Sequence, residues 1–393
     1  MHTVEIKSEA ERSLREKVYT IYSKWIKADS TIPSGSFVKV LFKGEHVGYG
    51  FYERIGPIGL RVLAYLSEGP PDTLEEIMRW RIQRAYKLRT LMGEKADAGY
   101  RLVYADSDGM PGLIIDVYRK TSVIQSSSIG WDSNKMKLAK IIVDEGISQR
   151  VYLKNDQRGR KEFGLPVERA FLIGGGEEKE IIREGKANLV VDFKLGQKTG
   201  FYLDQRPIRE KISMMKLDGY RVLDLFSYNG SFTVHALLSG AVSSVMVEES
   251  PTAIKIALEN MRLNSLDSFE LIRGRVEKIC DSLIAKRRKF DLIIADPPAF
   301  ITSKSHYNKG ARAYAKLIES ALKLVEPGGL IYISSCSYYL KENELLEMIK
   351  KEAANNGFGI RLLFHNSPIN SCSYTRIIDE QLRYLKGYLF RVE

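Results

Sequence analysis

The second half of the chain alternates short apolar runs with amphipathic stretches. From Tyr220 onward the apolar runs read RVLDLFSY, VSSVMVE, FDLIIAD and LIYISSC, and apolar residues recur at helical spacing between them, as in residues 252–264 and 314–325. Apolar strands that alternate with amphipathic helices are typical of a mostly parallel sheet with helices on both faces. The pattern therefore predicts an α/β domain, and ligands of such sheets bind at the carboxyl ends of the strands.

The first 69 residues show a different pattern. We predict one or two helices over residues 1–32, followed by the short strands FVKVLF, HVGYGFYE and GLRVLAYL between residues 37 and 66. The breaker Gly69-Pro70-Pro71 comes next. Residues 1–69 are thus predicted to form an N-terminal helix and a small β module.

Residues 70–178 are predicted to form a central α/β domain. A helix is expected from about residue 72 to residue 92, and RLVYADSDGMPGLIIDVY, residues 101–118, reads as two strands joined by a turn. Asp106 and Asp108 lie in that turn, and because further acidic ligands for a hard cation are missing nearby, we interpret them as turn residues. No metal site is expected.

A helix near residues 135–145 and a strand at residues 151–154 complete the central domain. The third predicted domain follows at residues 179–393. Gly174-Gly175-Gly176 reads as a linker, and residues 181–194 predict a β-hairpin that turns at Gly185.

Charge and cysteine content narrow the class of protein. Sixty Lys and Arg residues against 49 Asp and Glu give a formal net charge of +11, which attracts polyanions such as nucleic acid but is also found in basic proteins of other kinds. Residues 1–27 are charged throughout and no apolar run is long enough to span a bilayer, so we expect neither a secretory signal nor a membrane partner. The three cysteines are too widely spaced for a disulfide framework, and we expect a cytoplasmic protein with reduced thiols.

The first candidate site is VLDLFSYNGSF, residues 222–232. A strand ends near Asp224, a turn carries Gly230, and a helix begins near Ser231. A dinucleotide fold would need three spaced glycines for a pyrophosphate, whereas one glycine and a carboxylate suit S-adenosylmethionine, whose amino group Asp224 can bind. Glu248 follows the next strand, where it can accept hydrogen bonds from ribose hydroxyls, although a surface carboxylate is the alternative.

The second candidate site is FDLIIADPPAF, residues 290–300. The strand runs directly into Asp296-Pro297-Pro298, and the two prolines stiffen the turn. Such a turn can hold a planar base against a methyl donor, with Asp296 bonded to the edge of the base and Phe300 nearby. Enzymes that methylate exocyclic amines commonly place an aromatic residue directly after the second proline, but Ala299 stands there.

Cys336 is the candidate nucleophile. It follows the apolar strand of LIYISSCSYY, where catalytic groups protrude in this architecture. A thiolate there can attack C6 of a pyrimidine and activate C5 toward methylation. A cysteine at a strand end is more often an inert core residue when taken alone, but its combination with the DPP motif favours the catalytic interpretation.

A polar and aromatic segment, KLGQKTGFYLDQR, precedes the sheet at residues 194–206. Its side chains include Lys198, Tyr202, Gln205 and Arg206, which could cover the cofactor or contact RNA.

Together these motifs resemble a known family. GQKTGFYLDQR, VLDLFSYNGSF, ADPPAF and SSCS, in this order, are similar to the ribosomal RNA cytosine-5 methyltransferases that carry an N-terminal PUA domain, and the likeness extends from about residue 30 to the end. The resemblance implies a PUA-like β module, a central α/β domain and a Rossmann-like class I methyltransferase domain that uses S-adenosylmethionine. It also implies the formation of 5-methylcytidine in large-subunit ribosomal RNA.

The resemblance assigns roles to individual residues. Cys336 falls on the catalytic cysteine and Asp296 on the aspartate of the DPP motif, which contacts both substrate and cofactor. Pro297, Pro298, Phe300, Lys198 and Arg206 are the predicted substrate contacts. The remaining predicted cofactor contacts are Asp224, Phe226, Tyr228, Gly230, Glu248, Thr199 and Gln205.

Two segments depart from the family pattern. The family has an acidic residue after the third strand for the adenine amine, whereas this chain has Arg273-Gly274-Arg275, and arginine cannot accept that hydrogen bond. The PUA-like region also lacks the usual opening of basic residues followed by an aromatic strand, because residues 1–30 are predicted to be helical.

Several alternatives remain at this stage. The protein could methylate another atom or RNA, such as uracil C5 or guanine N2 or N7, or it could bind RNA with a vestigial cofactor pocket. A nicotinamide oxidoreductase is disfavoured by the single glycine of the turn. The oligomeric state is open, with a homodimer among the options.

Overall fold

The computed structural model describes the backbone of residues 1–393 and all side chains except those of Arg158, Phe163 and Ile369. The chain divides into two compact units. The first unit consists of Met1–Ile182, Val191–Leu203 and Cys372–Asp379. The second unit consists of Arg183–Val190, Asp204–Ser371 and Glu380–Glu393.

The first unit begins with a six-stranded sheet of order β2-β6-β5-β4-β1-β3. Its strands are β1 (His2–Ile6), β2 (Thr20–Tyr22), β3 (Ile26–Ala28), β4 (Phe37–Phe42), β5 (Glu45–Tyr52) and β6 (Ile58–Tyr65). The last three confirm the strands predicted between residues 37 and 66. The predicted boundary at residue 69 stays a prediction, because both sheets of this unit belong to the same compact body.

The predicted N-terminal helix over residues 1–32 is wrong. Strand β1 pairs in parallel with β4 and antiparallel with β3, and α-helical structure in this stretch is limited to the short α1 (Glu11–Arg15). Val4 and Ile6 are buried in the core of the sheet, with Thr3 and Glu5 at the alternate positions. This period of two, the β-branched Thr, Val and Ile of HTVEI, and the pairing on both edges of β1 favour a strand over a helix. Residues 1–30 therefore open with a strand rather than a helix, but β1 reads HTVEI, so the departure from the basic and aromatic opening of the family stays a prediction.

A second sheet of the first unit has the order β11-β10-β9-β8-β7. Its strands are β7 (Tyr100–Tyr104), β8 (Leu113–Tyr118), β9 (Thr121–Ser126), β10 (Arg150–Asn155) and β11 (Glu168–Ile173). The helices of this region are α2 (Leu74–Leu91), α3 (Ile129–Ser133) and α4 (Lys135–Asp144). The predicted helices near residues 72–92 and 135–145, and the paired strands of residues 101–118, are confirmed.

Asp106 and Asp108 have structural partners in the turn between β7 and β8. Asp108 forms an ion pair with Arg89, whose guanidinium is fully buried, and Asp106 accepts a hydrogen bond of 2.5 Å from Thr20. In the part of the chain that the structure describes, no group of three or more His, Cys, Asp or Glu side chains could hold a metal ion.

The predicted hairpin is confirmed as β12 (Lys179–Glu184) paired with β13 (Ala187–Asp192). Gly185 lies in its turn with φ +58°, a left-handed conformation that glycine adopts without a steric penalty.

The second unit is built on a seven-stranded sheet of order β16-β15-β14-β17-β18-β20-β19. Its strands are β14 (Arg221–Leu225), β15 (Ser243–Glu248), β16 (Phe269–Arg273), β17 (Phe290–Ala295), β18 (Val325–Ser335), β19 (Ile360–Asn366) and β20 (Lys386–Val392). Its helices are α5 (Arg206–Ser213), α6 (Ser231–Leu238), α7 (Pro251–Leu263), α8 (Val276–Ala285), α9 (Tyr307–Leu324) and α10 (Glu342–Asn355).

The predicted parallel sheet is confirmed for strands β14 to β18, which pair with one another in parallel. Two further strands were not predicted: β20 pairs antiparallel with β18, and β19 pairs antiparallel with β20. The carboxyl ends of β14, β17 and β18 therefore lie side by side at one edge of the sheet. Across the described residues, no helix is both long and apolar enough to cross a bilayer.

Candidate active site

A strained loop follows β14 at residues 226–230, which we call the β14 loop. Phe226 and Tyr228 both have positive φ, +59° and +49°, which is uncommon for residues with a side chain. Gly230 has φ +69°, and a Cβ atom there would lie 3.0 Å from the sulfur of Met246 and 3.1 Å from Cε of Met261. Such strain is typical of functional sites, and it makes glycine the one residue suited to position 230.

Asp224 lies at the end of β14 and is 1% exposed. Its Oδ2 accepts a hydrogen bond of 2.9 Å from Thr233, whereas among the described residues no donor reaches its buried Oδ1. Burial, with smaller contributions from the charges of Asp296 and Glu248, raises the pKa of Asp224 to about 7. A buried carboxylate oxygen without a donor is costly, so this atom is suited to a cationic hydrogen-bond donor from a ligand.

Glu248 closes β15 and ties the β14 loop to that strand. One of its carboxylate oxygens accepts a hydrogen bond of 2.9 Å from the backbone amide of Tyr228. The other accepts bonds of 3.0 and 2.8 Å from the amides of Glu249 and Ser250. The carboxylate is fixed in place, and its remaining lone pairs can accept hydrogen bonds from hydroxyl groups of a ligand.

Asp296 lies at the end of β17, next to β14 and β18. Its carboxylate accepts a hydrogen bond from Ser334 on β18, and its backbone amide donates a longer bond of 3.4 Å to the carbonyl of Leu225. Pro297 is buried and Pro298 is exposed. The DPP turn is thereby anchored to both neighbouring strands.

Cys336 begins the segment that follows β18, residues 336–340, which we call the β18 loop. Its thiol is partly exposed and lies 3.9 Å from the carbonyl oxygen of Pro297, which joins the β18 loop to the DPP turn. The other two cysteines, Cys280 and Cys372, are buried. Of the three cysteines, Cys336 is the one that is not buried.

An aromatic and hydroxyl cluster supports the β18 loop from beneath. The hydroxyl of Tyr314 on α9 lies 2.8 Å from the hydroxyl of Ser335 and 2.9 Å from that of Ser337, on either side of Cys336. Phe300 packs against Tyr314 with 4.8 Å between the ring centroids and against Phe226 with 6.2 Å. Phe300 therefore joins the DPP turn to the β14 loop, and its direct contact with substrate stays a prediction.

Gln205 and Arg206 lie in the second unit. The buried Oε1 of Gln205 accepts hydrogen bonds of 2.9 Å from both Tyr332 and Asn366. Arg206 is 8% exposed and lies 3.7 Å from Glu210. Their roles toward cofactor and substrate stay predictions.

Thr199 and Lys198 lie in the first unit. Thr199 is fully buried, and its hydroxyl bonds Asp116 at 2.6 Å and Tyr118 at 2.8 Å. The ammonium of Lys198 lies 4.4 Å from the ring centroid of Tyr202. These contacts describe how the segment folds, and the predicted contacts of both residues with ligands stay predictions.

Arg275 does not face the interior of the sheet unit. Its side chain is 66% exposed and lies 3.6 Å from Glu277 at the start of α8. The amide of the neighbouring Gly274 donates 3.1 Å to the carbonyl of Glu248. The side chain of Arg275 is therefore directed to solvent, with Glu277 beside it.

The charge distribution fits S-adenosylmethionine, a ligand with a sulfonium, an ammonium and two ribose hydroxyls. The Oδ1 atom of Asp224 suits the ammonium, the fixed carboxylate of Glu248 suits the hydroxyls, and the charges of both carboxylates and of Asp296 favour a cationic ligand. The loop carries one glycine, whereas a dinucleotide fold uses three spaced glycines to seat a pyrophosphate. We call the carboxylates of Asp224 and Glu248 the acidic cradle. A doubly wound sheet with this acidic cradle defines a class I S-adenosylmethionine-dependent methyltransferase.

Comparisons with known proteins agree with this class. Residues 216–386 match the model of a methyltransferase domain, and residues 4–65 match a PUA-like domain. The ribosomal RNA large subunit methyltransferase I of Aeromonas salmonicida is 35% identical over 97% of this chain and 97% of its own length. The enzyme of the same name from Serratia proteamaculans is 32% identical over 89% of this chain and 88% of its own length.

The fold also matches a solved structure. A SAM-dependent methyltransferase from Streptococcus mutans has a TM-score of 0.81 with 22% identity, and the match covers 100% of both chains. The chain belongs to the ribosomal RNA large subunit methyltransferase I family.

Two residues of the site were missed at the level of sequence. Ser227 is 3% exposed, and among the described residues its hydroxyl has no hydrogen-bond partner, so it is a further candidate for a cofactor contact. Lys386 is buried beside the β18 loop. The sequence did contain an indication of Lys386, because it opens the apolar run KGYLF and lysine is unusual in a buried strand.

Proposed function

We propose that this protein methylates C5 of a cytosine in large-subunit ribosomal RNA, with Cys336 as the nucleophile. The observation that carries the proposal is the partly exposed thiol of Cys336, joined at 3.9 Å to the DPP turn at the edge of the sheet that also carries the acidic cradle. The names of the relatives support ribosomal RNA of the large subunit as the substrate. A cytoplasmic location is part of the same proposal.

In the proposed mechanism, different residues of the second unit bind the cofactor, attack the base and hold the base in place. Asp224 and Glu248 hold the cofactor, which supplies an electrophilic methyl group on sulfur. The thiolate of Cys336 forms a covalent bond to C6 of the cytosine, which places electron density on C5. Asp296, fixed by Ser334, bonds the edge of the base, and the two prolines hold the turn rigid. After C5 has gained its methyl group, loss of the C5 proton and elimination of the thiolate restore the base and free Cys336.

The PUA-like domain and the net charge of +11 support RNA as the partner, since an excess of Lys and Arg attracts the phosphate backbone. The first unit would then add affinity for RNA, while the second unit performs the chemistry.

The test is a methylation assay with labelled S-adenosylmethionine and unmodified ribosomal RNA, followed by mass spectrometry of the nucleosides. We expect 5-methylcytidine from the wild-type protein and none from Cys336→Ala. Cys280→Ala is the matched control, because Cys280 is 1% exposed and should not take part. A different methylated nucleoside, or 5-methylcytidine that persists in Cys336→Ala, would overturn the proposal.

A further inference from the structure

A buried lysine lies against the β18 loop. Lys386 is the first residue of β20 and stands opposite Ser335, the residue before Cys336, in the antiparallel register of β18 and β20. It is 4% exposed. Its ammonium donates hydrogen bonds of 2.5 Å to the carbonyl of Ser337 and 3.0 Å to the carbonyl of Tyr384.

The position of this ammonium is unusual for a purely structural lysine. Burying a charged amine is costly, and carbonyl oxygens alone repay little of the cost compared with a carboxylate partner. Burial lowers the pKa of Lys386 to about 8, against the attraction of Cys336, Glu342 and Glu344. The side chain thus remains largely protonated at neutral pH while it holds the carbonyl of the residue next to Cys336.

We infer that Lys386 is a positioning residue, whose ammonium fixes the β18 loop and stabilises the thiolate of Cys336. The inference rests on the proposed function in that it takes Cys336 to be the nucleophile. A positive charge beside a thiol favours the thiolate, the form that attacks carbon.

The other titratable groups around the thiol do not replace this charge. Tyr314 packs from α9, and because burial raises its pKa it is neutral at pH 7. Glu342 and Glu344 on α10 act on Lys386, and Asp296 belongs to the DPP turn, whose Pro297 carbonyl lies 3.9 Å from the thiol. As carboxylates, all three oppose the thiolate. Lys386 supplies positive charge against them.

The experiment measures the rate at which iodoacetamide alkylates Cys336 as a function of pH, read by peptide mass spectrometry on the full-length protein without RNA or cofactor. In the wild type we expect the rate to rise with an inflection below about 8.5, the value of an ordinary cysteine. Lys386→Gln keeps a donor for the two carbonyls but removes the charge. It should move the inflection upward by about one pH unit and slow alkylation at pH 7 about tenfold.

Two further variants complete the design. Lys386→Arg keeps the charge and should stay close to the wild-type profile. Arg391→Met removes a positive charge from the exposed end of the same strand, and its profile should not change.

An unchanged profile in Lys386→Gln would overturn the inference. If that variant does not fold, the wild type still decides, since an inflection at or above about 8.5 contradicts a stabilised thiolate. The result is independent of the methylation assay. Methylation that survives Cys336→Ala would refute the proposed function without altering the alkylation profile. An unaltered profile would refute the role of Lys386 while leaving Cys336 as the nucleophile.

Discussion

The β14 loop and the β18 loop lie at the same edge of one parallel sheet, yet they use charge in opposite ways. Around the β14 loop, Asp224 and Glu248 form an acidic cradle, and the pKa of Asp224 is raised to about 7 by burial. Beside the β18 loop, the buried ammonium of Lys386 bonds the carbonyl next to Cys336. Under the proposed function, a single sheet edge receives a cationic methyl donor and supports an anionic nucleophile two strands away.

The largest effect on the β14 loop is expected from a substitution of Gly230. In Gly230→Val, a left-handed φ and contacts near 3 Å to Met246 and Met261 force the β14 loop to move. We expect the protein to lose detectable heat of S-adenosylmethionine binding in calorimetry and to lose roughly 1–3 kcal/mol of stability. If the variant folds and still binds the cofactor with wild-type affinity, the strained loop does not shape the cradle.

A smaller change removes one charge from the cradle. Asp224→Asn keeps the shape of the side chain but cannot pair ionically with the cofactor ammonium, so we expect the Kd to rise about 10- to 100-fold. The alkylation rate of Cys336 should be unchanged, which separates the two loops. Equal cofactor affinity in the variant and the wild type would remove Asp224 from the cofactor site.

The same carboxyl gives the cradle a pH dependence. Its folded pKa of about 7 lies above the ordinary value near 3.9, so below pH 7 the free protein carries a proton on Asp224 that cofactor binding must displace. We expect the Kd to rise about tenfold as the pH falls from 7 to 5.5.

Thermal melting tests the sign of this effect. A raised pKa of an aspartate means that the cofactor-free protein loses stability as pH rises through the window from about 4 to 7. Asp224→Asn should therefore raise the melting temperature of the cofactor-free protein at pH 8, and by less at pH 5. A melting temperature lowered equally at both pH values would contradict the assignment.

The smallest effect is expected at Glu248. Glu248→Gln leaves one oxygen to accept from the backbone amides but weakens the acceptor for the ribose hydroxyls, so we expect the Kd for the cofactor to rise about three- to tenfold. Calorimetry with S-adenosylhomocysteine should show the same loss, because it has the same ribose. The binding of methionine itself, which lacks the ribose, should be unaffected, and a loss of its affinity as well would place Glu248 elsewhere.

Much of the second unit could be predicted from the sequence, because buried parallel strands consist of continuous apolar runs. The polar residues directly after such strands must lie at one edge of the sheet. The runs that end at Asp224, Glu248, Asp296 and Cys336 all proved to be strands of that sheet.

The tertiary structure decided what such runs do not encode. His2–Ile6 became a strand because it has a partner on either side, although the helix predicted over residues 1–32 included it. Lys386 reaches the residue next to Cys336 only because β20 lies antiparallel to β18, across 50 residues of sequence. The sequence by itself determined the local elements and the motifs at their ends, whereas pairings between distant segments, and the buried charges that depend on them, were set by the folded chain.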